Sequence, residues 1–175
     1  MFNLWNFLAY QLAWFAVLIS AGVGVAWAGA TAAILVTAVH VALRREPLEL
    51  QLIALAAVIG LLVDSTLAIT GQVRFASAWP AGFAPYWMVS LWIVFATTLN
   101  HSLRWLMSRP VAAALAGAIG GPLAYLAGAK LGALTIATPA MTLPFIALLW
   151  TPAMIALSMI VLRASKLPAA GRLPA

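Results

Sequence analysis

Residues 4–43 are apolar for about twice the roughly 20 residues that a helix needs to cross a bilayer, and no soluble fold has a use for such a run. The run must therefore be divided between two spans. Ser20-Ala-Gly-Val-Gly-Val-Ala-Trp-Ala-Gly29 supplies the glycines at which the chain can turn, which predicts spans over about 3–21 and 25–43. Arg44-Arg45-Glu46-Pro47 then ends the second span with charges and a proline that a helix interior resists.

The same reading continues down the chain. A third span is predicted over about 48–70, a fourth over 86–107, a fifth over 110–131 and a sixth over 139–162. Between the third and fourth, Gly71 to Ala84 forms the longest connection, with Trp79, Pro80 and Phe83 suited to a membrane interface. The expected fold class is all-α: a polytopic transmembrane helix bundle of six spans. It makes a single domain over 1–163, followed by a short basic cytoplasmic tail over 164–175. The first run begins almost at Met1 without a basic leader, so it is expected to be the first span and not a cleaved signal.

Composition agrees. Hydrophobic residues make up 66% of the 175 residues and charged ones 7%, against about a quarter in soluble domains. The net charge of +6 arises from nine basic residues at the ends of apolar runs, with no patch for nucleic acid. With six spans, Arg44, Arg45, Arg104, Arg109, Arg163, Lys166 and Arg172 fall on one side, and Arg74 and Lys130 on the other. Short loops keep Lys and Arg in the cytoplasm, so both termini are expected inside, in the bacterial inner membrane. A five-span arrangement would put the basic tail outside. There are no cysteines, which removes disulfides and thiolate chemistry.

Candidate chemistry is sparse. Asp64 lies well inside the third span, where an ionised carboxylate costs at least about 2.5 kcal/mol unless it is paired, hydrated or neutralised. It is a proton or cation site, an anchor for a polar substrate, or a lock between helices. In the fourth span Ser90, Val94, Thr97, His101, Arg104 and Ser108 share a face at helical spacing, with Asn100 beside them. His40 lies near the inner end of span two, at the depth of His101 and Arg104, and Asn3 and Asn6 are close enough to join them. A basic, amide-rich pocket of His40, Asn100, His101 and Arg104 suits a phosphate, a carboxylate or a lipid headgroup. The alternative is that Arg104 reaches to the interface and the histidines bridge helices.

Two histidines on different spans also suit bis-histidine haem, but equal depth alone is slight support, and two histidines with one buried acid cannot fill a di-iron site. No metal and no cofactor are expected. Nor is there a G-x-S-x-G, H-E-x-x-H or Walker sequence, so the chain is not expected to be an enzyme, and no catalytic residue is assigned. In the fifth span Gly117 with Gly121, and Gly128 with Gly132, form G-x-x-x-G pairs. They are read as intramolecular packing or as a homo-oligomer face. Gly120-Gly121-Pro122 is expected to break or kink that helix, as are Pro144 and Pro152 in the sixth. Trp5, Trp27, Trp79, Trp87, Trp105 and Trp150 are read as interfacial anchors.

Taken together, Asp64, Pro85-Tyr-Trp, Leu91-Trp92, Phe95, Asn100-His101-Ser-Leu-Arg104-Trp105-Leu106, Gly117-Ala-Ile-Gly-Gly-Pro-Leu-Ala-Tyr125 and Gly128-Ala-Lys-Leu-Gly-Ala133 resemble a family of small bacterial inner-membrane proteins catalogued as a domain of unknown function. The resemblance covers nearly the whole chain and carries no recognised catalytic residues. It implies no established activity, and makes an accessory role beside lipid-modifying enzymes, cyclopropane-fatty-acid-synthase-like ones among them, an expectation. Three functions follow as expectations: a lipid-associated accessory protein of acyl-chain modification, a small proton-coupled transporter using Asp64, and a scaffold that assembles through span five.

Overall fold

The structure is a computed structural model and describes residues 1–166, with side chains placed through Arg163; the basic tail expected over 164–175 otherwise lies outside the described residues. In chain order the elements are α1 (Phe2–Gly22), α2 (Ala26–Arg44), α3 (Pro47–Ile69), β1 (Val73–Phe75), α4 (Tyr86–Leu99), α5 (Arg104–Met107), α6 (Pro110–Lys130), β2 (Leu134–Ile136) and α7 (Pro139–Lys166). Five of these helices, α1, α2, α3, α6 and α7, are long and apolar enough to cross a membrane, and their bounds fall within a few residues of the expected spans.

The fourth span is the exception. Helix α4 has 14 residues, about 21 Å of rise, and stops at Leu99 where an unbroken helix to residue 107 was expected. The cause is local: the polar residues after it find better partners off the helical path. The Asn100 amide donates to Glu49 and Glu46, Ser102 donates to Asn6, and the backbone closes with Leu103 N–H on the Thr98 carbonyl at 2.9 Å. Ser90, Val94 and Thr97 do share a buried face, but Arg104 and Ser108 lie beyond the turn and are exposed. Helix α4 is apolar on all sides because it is enclosed on all sides: it packs against α1, α2, α3 and α7, and only Tyr86 of its residues is exposed.

Prolines interrupt less than expected. Helix α6 continues through Gly120-Gly121-Pro122, and α7 through Pro144 and Pro152. A single lost N–H is tolerated in a span when neighbouring helices cover the freed carbonyl.

The glycines of α6 serve the α6–α7 contact. A methyl group on Gly117 would stand 2.6 Å from Met154 Cγ, and one on Gly121 would stand 2.6 Å from Trp150 Cγ. Gly128 faces Leu134, and Gly132 takes φ +77° in the turn after the helix. The first G-x-x-x-G pair is thus occupied inside the chain. Gly120 faces open space instead. Gly117→Leu is accordingly expected to destabilise by about 1–3 kcal/mol through overpacking, and Gly120→Leu by less than about 0.5 kcal/mol, measured as thermal unfolding in mild detergent.

One element has no counterpart in the sequence reading. Strands β1 and β2 pair antiparallel, Val73 with Ile136, Arg74 with Thr135 and Phe75 with Leu134. Ala76 N–H donates to the Ala133 carbonyl, Ala137 N–H to that of Gln72, and Thr142 Oγ1 to Gln72 Oε1. This clip holds the C-terminal ends of α3 and α6 at one end of the bundle. Beside it Trp79 and Phe83 are exposed, as interfacial anchors should be, and so are Trp5, Trp27 and Trp105. Trp87 and Trp150 are not anchors: Trp87 is fully buried, donating to the Ala76 carbonyl, and Trp150 packs on Trp92 inside the bundle.

Candidate functional site

Polar side chains gather in two places. The first surrounds Asp64, which is 0% exposed. Its carboxyl accepts from Trp92 Nε1 at 2.7 Å and from the Tyr125 hydroxyl, so α3 is joined to both α4 and α6. Gly60, one turn earlier, is what admits the Trp92 indole, for a Cβ there would lie 2.6 Å or less from three of its atoms. Asp64 faces neither of the two cavities described below. Both hydrogen bonds run to neighbouring helices, so the arrangement works as a helix lock.

The partners of Asp64 line a cavity. Trp92 and Tyr125 stand in the wall of a cavity of about 240 Å³, otherwise made by apolar and aromatic residues of α1, α4, α6 and α7, Trp14, Phe95 and Trp150 among them. Gly120, which is exposed, and Leu103 and Leu106, which are half-buried, belong to the same wall, so the cavity reaches the outer surface of the bundle. Its lining suits an apolar occupant.

The second place is at the bundle end opposite the strand clip. His40 Nε2 lies 2.9 Å from Glu49 Oε2, and His101 Nε2 lies 3.0 Å from Glu49 Oε1. Asn100 donates to the same Oε1 at 2.9 Å. Asn6 bridges the rest: its amide donates to the Thr97 carbonyl, sits 3.3 Å from His40 Nδ1, and accepts from Ser102 Oγ through Oδ1. The two imidazoles meet edge to face at 4.9 Å, and Phe2 packs on His101 at 5.2 Å, with the Arg44 guanidinium 3.5 Å above its ring. A second cavity is lined in part by Phe2, Trp5, Asn6, His40 and Thr97.

His40, Asn100 and His101 are therefore brought together, while Arg104 is exposed on α5, and Asn3 is exposed on α1. Glu49 is the member that a search for acids inside spans passes over. It is 0% exposed in the first turn of α3, where the helix dipole favours a carboxylate. The signal was present. Arg44 to Glu46 makes so short a link that His40, one turn before the end of α2, and Glu49, in the first turn of α3, must fall at one depth.

Five long apolar helices and a buried short one, with the two buried carboxylates held in internal clusters, define a multi-pass α-helical membrane protein. Residues 3–156 match the family described as "Protein of unknown function (DUF2878)", and the chain belongs to that family. No curated protein and no solved structure matches it.

Proposed function

We propose that this protein binds an acyl lipid in the bacterial inner membrane and serves as an accessory to enzymes that act on acyl chains. The observation that carries the reading is the aromatic-lined cavity of about 240 Å³ whose wall reaches the bundle surface at Gly120, Leu103 and Leu106. An acyl chain fills it, and Arg104, between those two leucines in sequence and exposed, meets the headgroup phosphate or carboxylate. His40, Asn100 and His101 are left out of the headgroup contact, because a carboxylate stands among them.

The short α4 makes the sixth crossing, sheltered by its neighbours where it falls short of the bilayer thickness. Both termini then lie in the cytoplasm, together with Arg44, Arg45, Arg104, Arg109 and Arg163. Proton-coupled transport through Asp64 has no support in its geometry, since both carboxylate oxygens are committed to Trp92 and Tyr125. A homo-oligomer would have to form through a face other than Gly117 and Gly121, which already meet α7.

Native mass spectrometry of protein extracted gently from its own membrane tests the reading. The wild type is expected to retain a defined acyl lipid, Gly120→Phe to lose it by filling the cavity, and Arg104→Ala to loosen it and blur its headgroup preference. Lipid retention that is indifferent to Gly120→Phe would overturn the assignment.

A further inference from the structure

His40, Glu49 and His101 stand together at one end of the bundle, and the contact of His101 with Glu49 is at ion-pair distance without hydrogen-bond geometry. His101 Nε2 stands 3.0 Å from Glu49 Oε1 at an angle that makes no hydrogen bond, and it has no other partner among the described residues. The side chain is only 10% exposed. A nine-tenths buried imidazole nitrogen that neither donates nor accepts normally carries a penalty of about 1–3 kcal/mol. The three side chains bring their donor atoms close together around one small space.

We propose that this space is a binding site for a divalent transition cation such as zinc, held by His40 Nε2, His101 Nε2 and the Glu49 carboxylate. One donor atom from each of the three residues lies within 4.8 Å of the others. Donors sharing one zinc ion at about 2.0–2.1 Å stand about 3.3 Å apart, so entry of the ion needs the contacts of 2.9 and 3.0 Å, made to different carboxylate oxygens, to open by a few tenths of an ångström, and the set, spread over up to 4.8 Å, to draw in around it. Two imidazoles and one carboxylate make a three-ligand set that leaves a fourth position for water or another oxygen donor.

The surroundings are those of a metal site. Asn100 orients the carboxylate by donating to Oε1, and the Asn6 amide stands 3.3 Å from His40 Nδ1. Arg44 is stacked on the Phe2 ring and forms no ion pair with Glu49 among the described residues. Ligands come from α2, from the first turn of α3 and from the turn after α4, so a bound ion ties three elements together at one end of the bundle.

The site is independent of lipid binding and is tested apart from it. Tag-free protein in detergent, stripped with a chelator, is titrated with cobalt(II) and read by visible absorption, then with zinc by displacement. One Co²⁺ per chain with ligand-field bands in the wild type is expected, and His101→Ala should weaken binding by at least about 100-fold. His101→Ala leaves the His40–Glu49 contact intact, and His101→Gln, which keeps an amide in the space, serves if alanine does not fold. Zinc should also raise the unfolding temperature of the wild type and leave that of the variant unmoved. Absence of stoichiometric Co²⁺ binding to folded wild type, or equal affinity in the His101 variants, would overturn the proposal.

Discussion

Asp64→Ala is expected to be among the most damaging single substitutions in this chain. It removes the acceptor for two buried donors, the Trp92 indole N–H and the Tyr125 hydroxyl, which belong to different helices. Each stranded donor costs about 1–3 kcal/mol, so a loss of about 2–6 kcal/mol follows. Asp64→Asn keeps one acceptor oxygen and should fall about halfway. The measurement is thermal or denaturant unfolding in mild detergent. Its sharpest form is a cycle with Tyr125→Phe: the double variant Asp64→Ala/Tyr125→Phe should be more stable than the sum of the single losses allows, because the orphaned hydroxyl has been taken away. Strict additivity would mean that the hydrogen bond contributes nothing.

Gly60→Ala is expected to do nearly as much harm with a single methyl group. The added Cβ would occupy the position of the Trp92 ring, standing 2.6 Å from Cδ2 and closer to Cγ and Cδ1. These atoms are at the root of the indole, so the ring cannot swing its far end aside; it must leave. In leaving it gives up Asp64 and its packing on Trp150, at 4.5 Å between ring centres. Overpacking of this kind costs about 1–3 kcal/mol before the lost hydrogen bond is counted. A smaller residue at position 92 should recover part of the loss: Gly60→Ala/Trp92→Leu is expected to be more stable than Gly60→Ala. In native mass spectrometry the single variant should also retain less lipid, since Trp92 forms part of the cavity wall.

These expectations rest on residues that differ in how visibly the sequence announces them. Apolar runs of span length, ended by Arg44-Arg45 and Arg109-Pro110, are governed by the bilayer itself, so five helices fall where the runs lie. Asp64 stands out because few other charges lie inside an apolar run. What a one-dimensional pattern does not carry is competition between partners far apart in the chain. Helix α4 ends early because Asn100 is drawn to Glu49, 51 residues away, and Ser102 to Asn6, 96 residues away. The periodicity of residues 90–108 continues through the point where the helix stops. The strand clip was hidden for a related reason: Val73–Phe75 and Leu134–Ile136 are too short to show alternation and form only in each other's presence. Glu49 was overlooked because an acid in a first helical turn ordinarily faces water, and only the tight α2–α3 link turns this one inward.

The lock at Asp64 has a consequence for the order in which the protein is made. Asp64 emerges from the ribosome 28 residues before Trp92 and 61 before Tyr125. Helix α3 therefore meets the membrane with its carboxyl group unsatisfied, at an insertion penalty of about 2.5–3.5 kcal/mol. It is also the most apolar of the five long helices, which is what lets it enter ahead of its partners. The carboxyl gains its first donor when α4 arrives and its second only when α6 does. Completion of the bundle is thus recorded at one buried group, and a chain truncated before residue 125 would keep an aspartate that membrane quality control can recognise as unpaired.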